Sequence, residues 1–224
     1  MNYRVECKER SKEFLRGRWG NAVGATMVFA ISNVILSFFF SAIPIVGWIL
    51  MFFLTAFLTG SFIKYCIKLT ESKERVKYLE CFISFKTAFK IAICNLLTGV
   101  LFSLLIGIIL IMLSALSLAI GSLVLLLVSC VILAFLTFFI EALIFPIPMI
   151  FTEDEGVGII EAIDISFKIT KGHRIAYIIM NISFLGWIAL SVIFFGIGML
   201  WVQPYMTLAI YLFYKAIRSE NNFI

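Results

Sequence analysis

Long uncharged stretches alternate with short charged ones along this chain. The longest, Ile91 to Phe151, is broken by one charged side chain, Glu141. A bilayer core is crossed by roughly 20 apolar residues of helix, and the pattern supplies that length repeatedly. It predicts six spans, at about 19–43, 49–69, 89–113, 123–150, 174–195 and 199–217. Pro44-Ile45-Val46-Gly47 and Gly196-Ile197-Gly198 offer reversals, because Pro pre-sets φ and Gly tolerates unusual φ. The uncharged segment Ser114–Ser122 is the expected turn between the third and fourth spans. As helix, the 91–151 stretch would extend about 90 Å, whereas two spans need roughly 60 Å. The surplus is expected as an outer loop, a strong tilt or a third span.

Between the spans the period changes. Residues 3–16 place Tyr3, Cys7, Ser11 and Phe14 on one helical stripe among alternating charges. Residues 78–86 interleave Tyr78, Phe82 and Phe85 with Glu80, Ser84 and Lys86. In 157–171 the residues Glu161, Asp164, Lys168 and Lys171 share a narrow face, with isoleucines around the rest. Each reads as an amphipathic helix lying at the interface. Thr152 and Glu155 have the spacing of a capping box for the last of these, and Gly172 ends it.

Charge then fixes an orientation. All 18 Lys and Arg fall in four blocks, at 4–18, 64–90, 168–174 and 215–218. The connections near 44–48, 114–122 and 196–199 carry none. Basic residues favour the cytoplasmic side, so both termini are expected there, in a bacterial plasma membrane. Trp48 and Trp201 sit where interfacial aromatics belong.

Composition agrees. The 224 residues are 62% hydrophobic and 14% charged, with a mean hydropathy of +1.10. Soluble domains run about 45–50% apolar and about 25% charged. The net charge of +5 sits in short blocks, which fits anionic headgroups and argues against nucleic acid. Five cysteines lack C-x-x-C spacing, and there is one histidine. No disulfide, metal site or cofactor is expected.

Candidate chemistry is sparse. H-E-x-x-H, G-x-S-x-G and P-loop motifs are missing. Glu141 is the sharpest candidate, because a carboxylate inside a span is costly unless paired or protonated. It reads as a proton- or cation-responsive group. Alternatively, Pro146 and Pro148 end its helix early and leave it near the headgroups, or it bonds a neighbouring span. Asn33, Asn95, Asn181 and Gln203 read as polar groups that join helices. Gly20 and Gly24, and the series Gly99, Ser103 and Gly107, read as small packing faces. Arg16, Arg18, Lys86, Lys90, Lys168, Lys171, His173 and Arg174 are the expected contacts to headgroups or a protein partner. His173 also suits a helix C-terminus, and Glu153, Asp154 and Glu155 suit a solvated helix start.

The first and third basic lead-ins look alike, Ser11…Arg16-Gly17-Arg18 beside Ser166…Lys171-Gly172-His173. The middle one shares Lys90-Ile91-Ala92 with Arg174-Ile175-Ala176, so a threefold repeat is expected.

Four boxes carry a family resemblance. They are Arg16-Gly17-Arg18-Trp19-Gly20-Asn21-Ala22, Ser72-Lys73-Glu74…Phe82…Phe85-Lys86, Glu161-Ala162-Ile163…Ser166…Lys171-Gly172-His173, and Gly186-Trp187…Gly196-Ile197-Gly198…Trp201…Pro204-Tyr205. They resemble domain of unknown function 975, multipass membrane proteins mainly of Gram-positive bacteria. The resemblance implies an all-helical membrane protein and supplies no activity or catalytic residue. The region around 114–135 departs from that family's shorter Pro-Gly turn.

The expected fold is all-α, a polytopic membrane protein of six transmembrane helices in three hairpins with cytoplasmic interfacial helices. The expected role is non-enzymatic: interaction or scaffolding, or binding of a lipid-like molecule between hairpins. Anionic lipid, a second copy or another membrane protein are the expected partners. The alternative is a transporter or channel working through Glu141.

Overall fold

The computed structural model describes residues 3–43, 46–72, 76–120 and 122–220. Among them the chain is all-helical. The helices are α1 (Tyr3–Leu15), α2 (Trp19–Ser41), α3 (Val46–Glu71), α4 (Phe85–Ile120), α5 (Leu123–Ile144), α6 (Ile147–Glu153), α7 (Ile159–Thr170), α8 (Arg174–Ile193) and α9 (Met199–Glu220). Five stretches are long and apolar enough to cross a membrane: Trp19–Phe40, Val46–Glu71, Phe85–Leu116, Leu127–Glu153 and Arg174–Ile193.

The sixth expected span forms a helix, α9, but its composition falls short of the other five. Its environment explains why. It packs on α1, α2, α3 and α8, and Leu208, Ala209, Phe213, Tyr214 and Ile217 are fully buried. A helix enclosed by protein need not be apolar on every face.

Burial is uneven along the bundle. The fully buried large side chains, among them Tyr65, Leu69, Phe151, Tyr177, Tyr211 and Tyr214, lie toward the end that carries the charges. At the other end Phe38, Phe39, Trp48, Ile49, Leu101, Ile111, Val131 and Val192 are exposed. An apolar belt of this size is far beyond what a soluble monomer shows, and it suits a membrane protein.

Several expectations change. Of the expected turn at 114–122, residues 114–120 are helical and Ser122 is not, and Gly121 lies outside the described residues. Helix α4 runs on to Ile120, 36 residues in all, about 54 Å at 1.5 Å per residue, so it absorbs the surplus length of the uncharged stretch. No Pro or charge interrupts the sequence there. Where a surface helix was expected over 78–86, the chain makes one 3-10 turn, Tyr78–Cys81, and α4 begins at Phe85. The intervening backbone is captured by α3. Ile83 N–H donates to Ser61 Oγ (3.3 Å), and Lys64 and Lys68 donate to the carbonyls of Phe82 (3.2 Å) and Glu80 (2.8 Å). The capping box also moves. Thr152 lies inside α6, donating to the Pro148 carbonyl at 2.6 Å, and Glu161 instead accepts the Gly158 N–H at 3.3 Å, just before α7. The expected turn residues Pro44 and Ile45, and residues 73–75, lie outside the described residues.

The lead-in segments dock in rotation: α1 packs on α9, the 3-10 turn on α3, and α7 on α5 and α6. The first and third share more than position. Gly17 and Gly172 both take the left-handed conformation (φ 76° and 89°) that only Gly adopts freely. Arg18 N–H reaches the Leu15 carbonyl at 2.9 Å, and His173 N–H reaches that of Thr170 at 3.0 Å. Cys7, Ser11 and Leu15 face the core as Ala162, Ser166 and Thr170 do. A signal for the middle unit was missed in the sequence. Ile83-Ser84-Phe85-Lys86 recurs as Ile165-Ser166-Phe167-Lys168, although the first copy leads directly into α4.

Candidate functional site

A cavity of about 630 Å³ lies between the long helices. It is lined by α2 at Thr26 and Asn33, α3 at Thr59, α4 at Asn95 and Thr98, α5 at Glu141, α8 at Tyr177, and α9 at Gln203 and Thr207. Phe29, Leu58, Phe62, Ile144, Met149 and Leu200 make much of the remaining wall. Helical rise puts Asn95 about 15 Å and Asn33 about 21 Å along their helices from the charged end.

Each polar group stands there for a local reason. Pro146 has no N–H, so α5 stops at Ile144 after its last bond, Phe145 N–H to the Glu141 carbonyl (3.0 Å). The chain turns and resumes as α6, whose Ile147, Pro148 and Met149 close one side of the cavity. The prolines therefore end the helix where expected, three residues past Glu141, which lines the cavity. Tyr177, on α8, lines the same cavity. Tyr177 is itself fixed: its ring stacks on Phe145 with centroids 4.1 Å apart, and only 2% of it is exposed. Glu141 is accessible by surface area, and the space it reaches includes this cavity.

Three of the four polar residues expected to join helices line the cavity instead. Asn33 donates to the Phe29 carbonyl of its own helix at 3.2 Å. Asn95 and Gln203 are on the cavity wall. Asn181 is buried behind it and donates to the Tyr177 carbonyl at 3.1 Å.

The basic candidates separate into two groups. Arg18 is structural: Nη1 donates to the carbonyls of Leu69 (3.0 Å) and Ser72 (2.7 Å), and Nε to that of Phe14 (3.0 Å). Lys90 likewise holds the carbonyls of Glu155 (2.8 Å) and Val157 (2.5 Å). Lys168 pairs with Asp164 at 2.5 Å, His173 lies 3.6 Å from Glu220, and Arg174 sits over the Phe139 ring. Arg16, Lys86 and Lys171 are exposed at the charged end. Of the small residues, Gly24 packs against the Tyr78 hydroxyl, which would stand 2.8 Å from an added Cβ. Gly20, Gly99 and Gly107 face open space, and Ser103 is exposed, so these four seat no helix of this chain.

Glu153 was read as a solvated helix start and is the centre of a polar cluster. It accepts hydrogen bonds from Tyr211 and Tyr214, each at 3.0 Å, and pairs with Arg218. The signal was the spacing of Tyr211, Tyr214 and Arg218, which share one face of a helix. Among the described residues no group of three or more His, Cys, Asp or Glu could hold a metal ion.

Comparison with curated proteins and with solved structures yields no match. A family model does match, over residues 1–221. With nearly the whole chain covered, this protein belongs to the family described as Protein of unknown function (DUF975).

Proposed function

We propose that this is a non-enzymatic protein of the bacterial plasma membrane that holds an amphipathic small molecule in its central cavity. The observation that carries the reading is the convergence of Glu141, Asn33, Asn95 and Gln203 on one largely apolar space of about 630 Å³. Ligand sites have this character: concave, mostly apolar, with a few placed polar groups. An acid inside a bundle is also costly enough to need a role. In this reading α9 is the sixth span, enclosed by the others, and the spans form three hairpins. The basic lead-ins lie at the cytoplasmic face, with Arg16, Lys86 and Lys171 free to meet anionic headgroups.

Native mass spectrometry tests it. Protein released from native membranes should retain about one small amphiphile per chain. Thr59→Trp, which fills the cavity, should lose it. Equal retention by both forms would remove the cavity from the account.

Transport is a second reading, favoured by the rotational docking of the three lead-ins around a cavity that all six long helices line. It requires proteoliposome flux that Glu141→Gln abolishes.

A further inference from the structure

We infer that the head of the bound amphiphile is a cation, such as an ammonium group. The inference rests on the cavity being a ligand site and adds what it selects.

The lining is rich in acceptors. Glu141 is its only charged side chain, and no Lys, Arg or His lines it. Some of its donors are engaged within their own helices. Thr26 gives its hydroxyl proton to the Ala22 carbonyl (3.0 Å) and Thr98 to that of Cys94 (2.7 Å). An Asn33 amide proton goes to the Phe29 carbonyl. What the Thr26 and Thr98 hydroxyls retain is oxygen lone pairs.

The prolines add to this. Pro148 and Pro204 have no N–H, so the carbonyls of Ile144 and Leu200, four residues earlier, lose their usual helical donor. Both Ile144 and Leu200 line the cavity. One carboxylate with no basic side chain beside it, in a largely apolar chamber, would repel an anion and draw a cation. The volume and apolar walls point to an organic cation with a hydrocarbon body, reached from the bilayer.

Photolabelling with competition tests this in nanodiscs of neutral lipid. The probe is an aliphatic diazirine, and the competitors are dodecyltrimethylammonium, dodecanol and dodecanoate at equal mole fraction. The ammonium should displace cavity label at least tenfold more effectively than either other head. The protein's net charge of +5 would by itself favour dodecanoate, so the expected order runs against that bias. Glu141→Gln should keep the label and lose the ammonium's advantage, whereas Glu141→Asp should keep part of it. Equal displacement by the three heads, or an undiminished ammonium preference in Glu141→Gln, overturns the cation assignment and leaves the cavity standing. Failure of the probe to label the cavity overturns both.

Discussion

Replacing Arg18 with Ala tests whether basic residues at the charged end build the protein or only greet lipid. Arg18 joins two helix ends. One nitrogen holds the last turn of α1 through the Phe14 carbonyl, and another holds Leu69 and Ser72 at the end of α3. Carbonyls at a helix C-terminus have no partner within the helix, and a cation there also suits the dipole. Hydrogen bonds involving a charged group contribute about 1.5–3 kcal/mol each. Losing three partly buried ones together should cost about 3–4 kcal/mol, since water recovers part of the loss. For a chain of this size 1 kcal/mol moves Tm by about 2–4 °C. Arg18→Ala should therefore lower the thermal transition in detergent by roughly 6–15 °C, compared at one scan rate because such unfolding is often irreversible. Arg16→Ala is the control, being exposed, and should shift it by 1–2 °C at most, on the order of a surface change. If the two variants melt together, the capping assignment is wrong.

Other outcomes follow from the same contacts. Gly20→Ala should be neutral or stabilising by about 0.5–1 kcal/mol, as Ala is the better helix former. Gly24→Ala should destabilise, because the new methyl displaces the Tyr78 hydroxyl from its 2.8 Å bond with Asn21 Oδ1; thermal melts of the pair decide it. Glu153→Ala leaves Arg218 without its carboxylate and two tyrosine hydroxyls without an acceptor, and should cost about 2–4 kcal/mol in the same melts. Glu153→Gln, which keeps an acceptor, should cost less than Glu153→Ala. Burial pushes the Cys7 thiol up to about 11. At pH 8 only about one thiol in a thousand would then be thiolate, so Cys7 should resist maleimide until the protein is unfolded. Rapid labelling of native protein at Cys7 would show that α1 is not docked on α9.

Five long apolar helices and the first and third lead-in helices were legible because lipid imposes a coarse rule, apolar length between blocks of charge. The same rule placed α9 but not its enclosure. Its enclosure by protein permits Gln203, three tyrosines and Lys215, and composition alone cannot separate that from a weaker span. The 3-10 turn at Tyr78–Cys81 was illegible for another reason. Its polar–aromatic alternation fits a surface helix, but Lys64, Lys68 and Ser61 of the preceding helix, 12 to 22 residues back, take up the backbone groups of Glu80, Phe82 and Ile83. Glu141 was visible as a lone charge, and its break at Pro146 was foreseeable from proline's missing N–H. That Asn33, Asn95 and Gln203 face the same space depends on helix rotation, which no single apolar stripe fixes when all sides are apolar.

The most direct test of the cavity is to map where an aliphatic diazirine probe attaches in wild-type protein and in Thr59→Trp, by peptide mass spectrometry in nanodiscs. The account predicts wild-type label on cavity residues such as Asn95, Glu141, Met149 and Gln203, and its selective loss in Thr59→Trp while label on lipid-facing Leu101 and Ile111 persists. Label confined to the lipid-facing positions in both proteins would contradict it.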